Sequence, residues 1–384
     1  MIIKPKIRGF ICTSAHPVGC EENVRRQIEY VKSKPKMDAP KKVLVIGASM
    51  GYGLASRIAA AYSCGASTIG VIFDRAGKDN KTGTAGWYNT AAFEKFARAD
   101  GIYAKTLNGD AFSQEMKRET IELIKKDLGK VDMVIYSLAA PKRTDKEGVT
   151  HSSVIKAIGE TYTNKSIDPA KKTLNEVTVP AASDDEIAAT VKVMGGEDWK
   201  DWIELLSKEG ALAENAVTAA YSYIGPKLTH PMYFNGTIGR AKEHLFNTAK
   251  EITAEYDGVK AYIAVNKALV TQSSSAIPVV PLYIAILFKV MKEKGLHEDC
   301  IEQMHRLFDE KKLYSAPVTD ENGLIRLDDW EMREDIQTEV SKIWEQVTSE
   351  NLSAVTDIDG YSHDFESLFG FGVNGVDYEQ DVEV

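Results

Sequence analysis

Lys42-Val43-Leu44-Val45-Ile46-Gly47-Ala48-Ser49-Met50-Gly51-Tyr52-Gly53 is the stretch that decides the fold. Its first five residues form a continuous β-rich run, as expected for a strand covered on both faces. After the glycines, Leu54, Ile58, Ala61 and Tyr62 recur at helical spacing. A strand, a glycine turn and a helix in that order make a cradle for a dinucleotide pyrophosphate. Gly47 permits the tight turn, Gly51 keeps a Cβ away from the phosphates, and Gly53 lets helix and strand pack closely. The helix N-terminus adds the positive end of its dipole. Gly47, Ala48, Ser49, Met50, Gly51 and Tyr52 are therefore expected to line the pyrophosphate.

Working outward, a second strand is expected over residues 68–73, ending on Asp74, and a third over 102–107. A fourth, over 133–137, follows the amphipathic segment 116–128. This βαβαβ order is the first half of a doubly wound parallel Rossmann sheet, an α/β fold. A late strand over 259–265 should return to that sheet. Phe73 and Asp74 fall where the adenosine lies. The Asp74 carboxylate is placed to accept hydrogen bonds from the ribose hydroxyls and would repel a 2′-phosphate, which favours NADH over NADPH. Two features pull the other way: Asp74 lies farther from Gly47 than the usual spacing of about 20 residues, and Arg75 could pair with a phosphate. Asp110-Ala111 and Leu138-Ala139 follow the third and fourth strands and would line the same crevice.

The chain reads as one enlarged domain, 1–384, with a dinucleotide-binding core over 41–144 and 210–272. Residues 145–209 look like an insertion, with a short β-type run Val177-Thr178-Val179 before Pro180. Within it, Trp199, Trp202, Ile203 and Leu206 share a helical stripe that should face the core. Residues 273–384 are expected to cover the substrate and form the C-terminal region. The apolar run 276–288, opened by Pro278 and Pro281, is either a wall for an apolar ligand or an ordinary core helix, and both readings stand. The acidic tail 377–384 reads as a solvated terminus.

Of the 384 residues, 43% are hydrophobic and 27% charged, the balance of a globular protein. A net charge of −9 argues against nucleic acid or an anionic membrane as partner. Cys12, Cys20, Cys64 and Cys300 have no zinc-type spacing and are expected to be reduced thiols, so no metal is expected and a cytoplasmic setting is. The first residues lack the apolar stretch of a signal peptide, and no run is long enough to span a bilayer.

Hydride transfer to a polarised double bond needs a group that stabilises the developing oxyanion, and a tyrosine hydroxyl beside a lysine does this. Tyr223 and Lys227 have the Tyr-x3-Lys spacing that works on one helical face, but Gly225 and Pro226 between them argue against a helix. Tyr233 and Lys242, with eight residues between them, are the better pair. On one ideal helix they would point about 180° apart, so Tyr233 is expected in the approach to a helix. Asn235-Gly236-Thr237 supplies the break and a candidate N-cap, with Lys242 one to two turns inside.

At these residues the chain resembles the bacterial NADH-dependent trans-2-enoyl-CoA reductases and the related enoyl-acyl-carrier-protein reductases of the Tyr-x8-Lys type. The likeness includes 45–53, 83–89, 136–141, 194–199, 221–225 and 265–271. It implies an enlarged short-chain-dehydrogenase-like domain, no flavin, activity as a monomer, and a role in fatty acid metabolism. It further implies Tyr233 as proton donor, Lys242 as a cofactor contact, Tyr223 at the thioester end of the substrate, and Leu269, Val270 and Thr271 near the nicotinamide. Relatives often carry Glu where this chain has Asp74. The carrier, coenzyme A or acyl carrier protein, stays open, as do preferred chain length and two rival readings: a 3-oxoacyl thioester reductase and a non-catalytic dinucleotide sensor.

Overall fold

Val43 and Val45 point to one side of strand β1 (Lys42–Ile46), Leu44 and Ile46 to the other, and all four are fully buried. A strand with two buried faces requires helices on both sides of its sheet. The computed structural model, which describes residues 1–169 and 171–384, shows that arrangement. The sheet continues with β2 (Ser67–Ile72), β3 (Ala104–Asn108), β4 (Val131–Tyr136), β5 (Leu212–Ser222), β6 (Lys260–Val265) and β7 (Leu324–Arg326). Its order is β7-β6-β5-β4-β1-β2-β3, and every adjacent pair is parallel. Strand order reverses between β1 and β4, so the crevice beyond their C-terminal ends is the topological switch point where ligands bind such sheets.

On the Val43 side lie α1 (Pro17–Lys32), α2 (Gly51–Cys64) and α3 (Ala85–Ala99). On the Leu44 side lie α4 (Gln114–Asp127), α6 (Glu197–Lys208) and α7 (Thr237–Glu255), with α5 (Asp184–Met194) packed against α7. The α6 stripe of Trp199, Trp202, Ile203 and Leu206 is fully buried, as its spacing requires. A separate apolar core gathers around α8 (Val280–Glu293), whose residues 280–288 are all buried. It takes inward residues from α10 (Glu334–Gln346), α11 (Leu352–Val355) and α12 (Ile358–Ser367). Helix α9 (Cys300–Phe308) instead packs on α2.

The segment 145–209 is more structured than its turn-rich sequence suggests. Antiparallel hairpins pair Lys142–Thr144 with Thr150–Ser152, and Tyr162–Asp168 with Thr173–Val179. The second places Ile167 and Val179 in the core around α8. Loop 154–156 grips the start of α7, since Thr237 Oγ1 donates to Val154 O at 2.6 Å and Thr237 N to Lys156 O at 3.0 Å. Gly236, within the expected break, is the N-cap residue of α7, with extended backbone. Among the described residues no helix is long and apolar enough to cross a membrane. The four cysteines are unpaired.

Candidate active site

The turn after β1 is built as its glycines dictate. Gly47 has φ +83°, and a Cβ there would stand 2.1 Å from Ser137 O. A Cβ on Gly53 would stand 1.9 Å from Gly47 O, so helix and strand touch backbone to backbone at that point. Gly51 opens α2 at φ +52°, with only Thr271 Cγ2 near its missing Cβ, at 3.9 Å. The N-terminus of α2 has no side-chain cap and no carboxylate in its first turn. An open helix end of this kind suits an anion, and these residues fit a dinucleotide pyrophosphate.

At the end of β2, Phe73 is 79% exposed, a flat apolar face beside the crevice. Asp74 is fixed on three sides. Its Oδ1 accepts from Thr84 Oγ1 at 2.7 Å, its amide donates to Asn108 Oδ1 at 2.9 Å, and Asn108 Nδ2 donates to its carbonyl at 2.8 Å. A Cβ on Gly86 would lie 2.5 Å from the Asp74 carboxylate oxygens, so the start of α3 passes close against that carboxylate. Asp110 Oδ1 accepts from the Phe112 amide within its own turn, and the Trp202 indole holds Ala111 O at 3.2 Å. Leu138 sits against the Gly47 turn, its Cδ2 3.0 Å from the position of a Gly47 Cβ. Ala139 is exposed beside it.

The tyrosines gather where β5 ends. Tyr223 and Lys227 do not share a helix, because Gly225 between them has φ +71°, residues 223–226 are irregular and residues 227–235 run as turns. Tyr233 lies in those turns ahead of α7, and its ring meets Tyr223 edge-on at 4.9 Å. Burial raises the Tyr233 hydroxyl above its ordinary pKa, so it stays protonated. Lys242, inside α7, donates from Nζ to Tyr221 O at 2.8 Å, and burial pushes its ammonium down to about 8. Tyr221 in turn packs its ring 5.8 Å from that of Tyr52. Tyr52 donates to Lys267 O at 2.7 Å, which ties α2 to the loop after β6. In that loop Leu269 and Val270 are buried, and Ser274 Oγ joins Leu269 O to Thr271 N.

One group escaped the sequence reading. Glu331, fully buried, accepts from the Tyr223 hydroxyl at 2.9 Å, the Tyr283 hydroxyl at 2.7 Å and the Ala268 amide at 2.7 Å. It lies in an acidic run, Asp328-Asp329-Trp330-Glu331, that carries no motif. His297, Asp299 and Asp364 also bring ligand-type atoms within 4.8 Å of one another.

The fold and this crevice define an NADH-type oxidoreductase with a parallel, doubly wound sheet. Residues 81–314 match the family model of the trans-2-enoyl-CoA reductase catalytic region, and residues 2–79 match the NAD(P)H binding domain of trans-2-enoyl-CoA reductase. The chain belongs to the trans-2-enoyl-CoA reductase family. It is 57% identical to an enoyl-[acyl-carrier-protein] reductase [NADH] of Flavobacterium johnsoniae, over 99% of this chain and 97% of that protein. It is 55% identical to a trans-2-enoyl-CoA reductase [NADH] of Ruminiclostridium cellulolyticum, over 100% and 98%. The crystal structure of Clostridium acetobutulicum trans-2-enoyl-CoA reductase in complex with NADH superposes with a TM-score of 0.97 at 45% identity, covering 100% of this chain and 98% of that one.

One expectation is corrected. Residues 319–382 match the family model of an enoyl reductase FAD binding domain, which overturns the reading that no flavin is involved. The absence of flavin was what the resemblance implied, and the matched segment falls in 273–384, expected to cover the substrate and form the C-terminal region. Within the matched segment, Ile336, Val340, Tyr361 and Phe365 turn inward to the core around α8. The first turns of α10 and α12 carry Glu334, Asp335 and Asp359, and carboxylates at a helix N-terminus oppose a diphosphate. These residues do not form a cradle like that at α2, and no step of the reaction is assigned to a flavin.

Proposed function

We infer that this chain reduces the C2–C3 double bond of trans-2-enoyl thioesters, giving saturated acyl thioesters. NADH, when bound, supplies the hydride that arrives at C3. Gly47 to Tyr52 receive the pyrophosphate, Phe73 and Asp74 the adenosine, with Asp110, Ala111, Leu138 and Ala139 along the crevice. Leu269, Val270 and Thr271 flank the nicotinamide. As charge builds on the thioester carbonyl, the Tyr233 hydroxyl hydrogen-bonds it and stabilises the enolate before protonation at C2. Lys242 holds the cofactor ribose, and its desolvation keeps it close to giving up a proton. Tyr223 meets the thioester end.

The observation that carries this reading is the pairing of Tyr233 with Tyr223 at the C-terminal end of β5. A hydroxyl that burial keeps protonated is a hydrogen-bond donor at neutral pH, which is the role an enolate needs. Helix α8, buried throughout 280–288 and apolar there apart from the Tyr283 hydroxyl, supplies the wall for the acyl chain while serving as the core of its region. On this account the chain acts in the cytoplasm, where reduced cysteines are the rule, and as a monomer, as the family resemblance implies. Incubation with NADH and crotonyl-CoA tests the reading. Butyryl-CoA formed in step with NADH loss supports it, and NADH binding without turnover on any enoyl thioester contradicts it. Parallel kinetics on enoyl-carrier substrates decide which carrier is preferred.

A further inference from the structure

We propose that Glu331 is the positioning residue that locks Tyr223 and the nicotinamide-side loop together and leaves Tyr233 as the donor to the thioester carbonyl. The proposal rests on the enoyl reductase reading above. Glu331 is 0% exposed, yet no lysine or arginine lies within ion-pairing distance of its carboxylate among the described residues. Three donors meet it instead, two hydroxyls on Oε1 and one backbone amide on Oε2. A buried carboxylate so satisfied is fixed in place, and so are the groups that reach it.

The direction of each bond matters. The Ala268 amide can only donate. Gln337 Nε2 donates to the Tyr283 hydroxyl at 3.0 Å and to Glu331 O at 2.7 Å, so the Tyr283 proton is left pointing at Oε1. The Tyr223 proton is then committed to the same oxygen. With that proton spent, Tyr223 offers the substrate a ring face and lone pairs, and no donor. Tyr233, against which its ring is packed, has no such acceptor among the described residues and keeps its proton for the substrate. Ala268 directly precedes Leu269, Val270 and Thr271, so one carboxylate sets the position of both the thioester-side ring and the cofactor-side loop.

The test is a cycle of Glu331→Gln and Tyr223→Phe, read as KM and kcat for crotonyl-CoA and as the NADH dissociation constant by fluorescence titration. Glutamine keeps the shape but cannot accept from both tyrosines and from the Ala268 amide. In the wild-type background Glu331→Gln should lower kcat/KM about tenfold, the cost of one lost buried hydrogen bond to a charged group. The loss should fall mainly on KM. In the Tyr223→Phe background the same change should cost only about threefold or less, because the shared bond is already gone. Equal losses in both backgrounds would overturn the proposal, as would an unchanged KM. Tyr283→Phe, which keeps the α8 ring in its core, serves if Glu331→Gln folds poorly. It should raise KM with the same dependence on Tyr223, and additivity there would also overturn the proposal. Absence of crotonyl-CoA turnover by the wild-type protein would instead sink the underlying functional reading.

Discussion

The ring of Tyr223 stands edge-on to that of Tyr233, with centroids 4.9 Å apart and planes at 83°. The contact fixes the Tyr233 ring independently of its hydroxyl. Tyr233→Phe should therefore fold as the wild type and bind NADH nearly as well. Its turnover with crotonyl-CoA should fall by about 10²–10⁴, the usual worth of a positioned general acid. Circular dichroism, NADH titration and steady-state rates check the three statements. An active Tyr233→Phe protein would remove Tyr233 from the chemistry.

Lys242 makes a pH prediction. Burial holds its ammonium at about 8, while an exposed lysine titrates near 10.4. The folded free enzyme loses this proton first as pH rises, so NADH affinity should weaken through pH 8 as the positive charge goes. In the same window the unfolded chain holds the proton longer, so this group favours the fold increasingly between pH 8 and about 10.4. Lys242→Met should bind NADH more weakly at pH 7 and lose the pH dependence above it. An NADH affinity in the Lys242→Met protein equal to that of the wild type would remove Lys242 from the cofactor site.

Gly47→Ala probes the turn. The new Cβ would fall 2.1 Å from Ser137 O, on a backbone at φ +83°, and neither β1 nor β4 has room to move in the middle of the sheet. Destabilisation of about 2–4 kcal/mol is expected from the clash and the strained backbone together. A denaturant midpoint equal to the wild type would contradict that geometry.

On the proposed function, Asp74 sets the preference for NADH over NADPH. Replacing it with Asn keeps an acceptor for Thr84 and removes the charge that opposes a 2′-phosphate. The ratio of kcat/KM for NADH to that for NADPH should drop by about tenfold, equivalent to a change of about 1.4 kcal/mol. An unchanged ratio would mean that Asp74 does not face the ribose.

The sheet was legible in the sequence because its strands are buried on both faces and its turn needs glycine. The strand over 102–107 was placed two residues early, since Ile102 is apolar but lies before the first pairing residue, Ala104. Strand β7 is three residues at the sheet edge and leaves almost no periodicity to find. The hairpin Tyr162–Asp168 with Thr173–Val179 is rich in Thr and Asn, and only Val177-Thr178-Val179 hinted at it. Tyr233 was expected ahead of a helix and Lys242 inside it, and they lie there, but nothing in the sequence pointed to Glu331. Its partners, Tyr223, Ala268 and Tyr283, come from three distant segments, and only the folded chain brings them to one carboxylate.

The central claim is that hydride goes to C3 of an enoyl thioester while the proton arrives at C2. Reduction of crotonyl-CoA with NADH deuterated at the transferred position, followed by mass spectrometry and NMR of the product, tests it directly. The account predicts one deuterium at C3 of butyryl-CoA, solvent hydrogen at C2, and far slower consumption of acetoacetyl-CoA. Deuterium at C2, or preferential reduction of acetoacetyl-CoA to the hydroxy thioester, would contradict it.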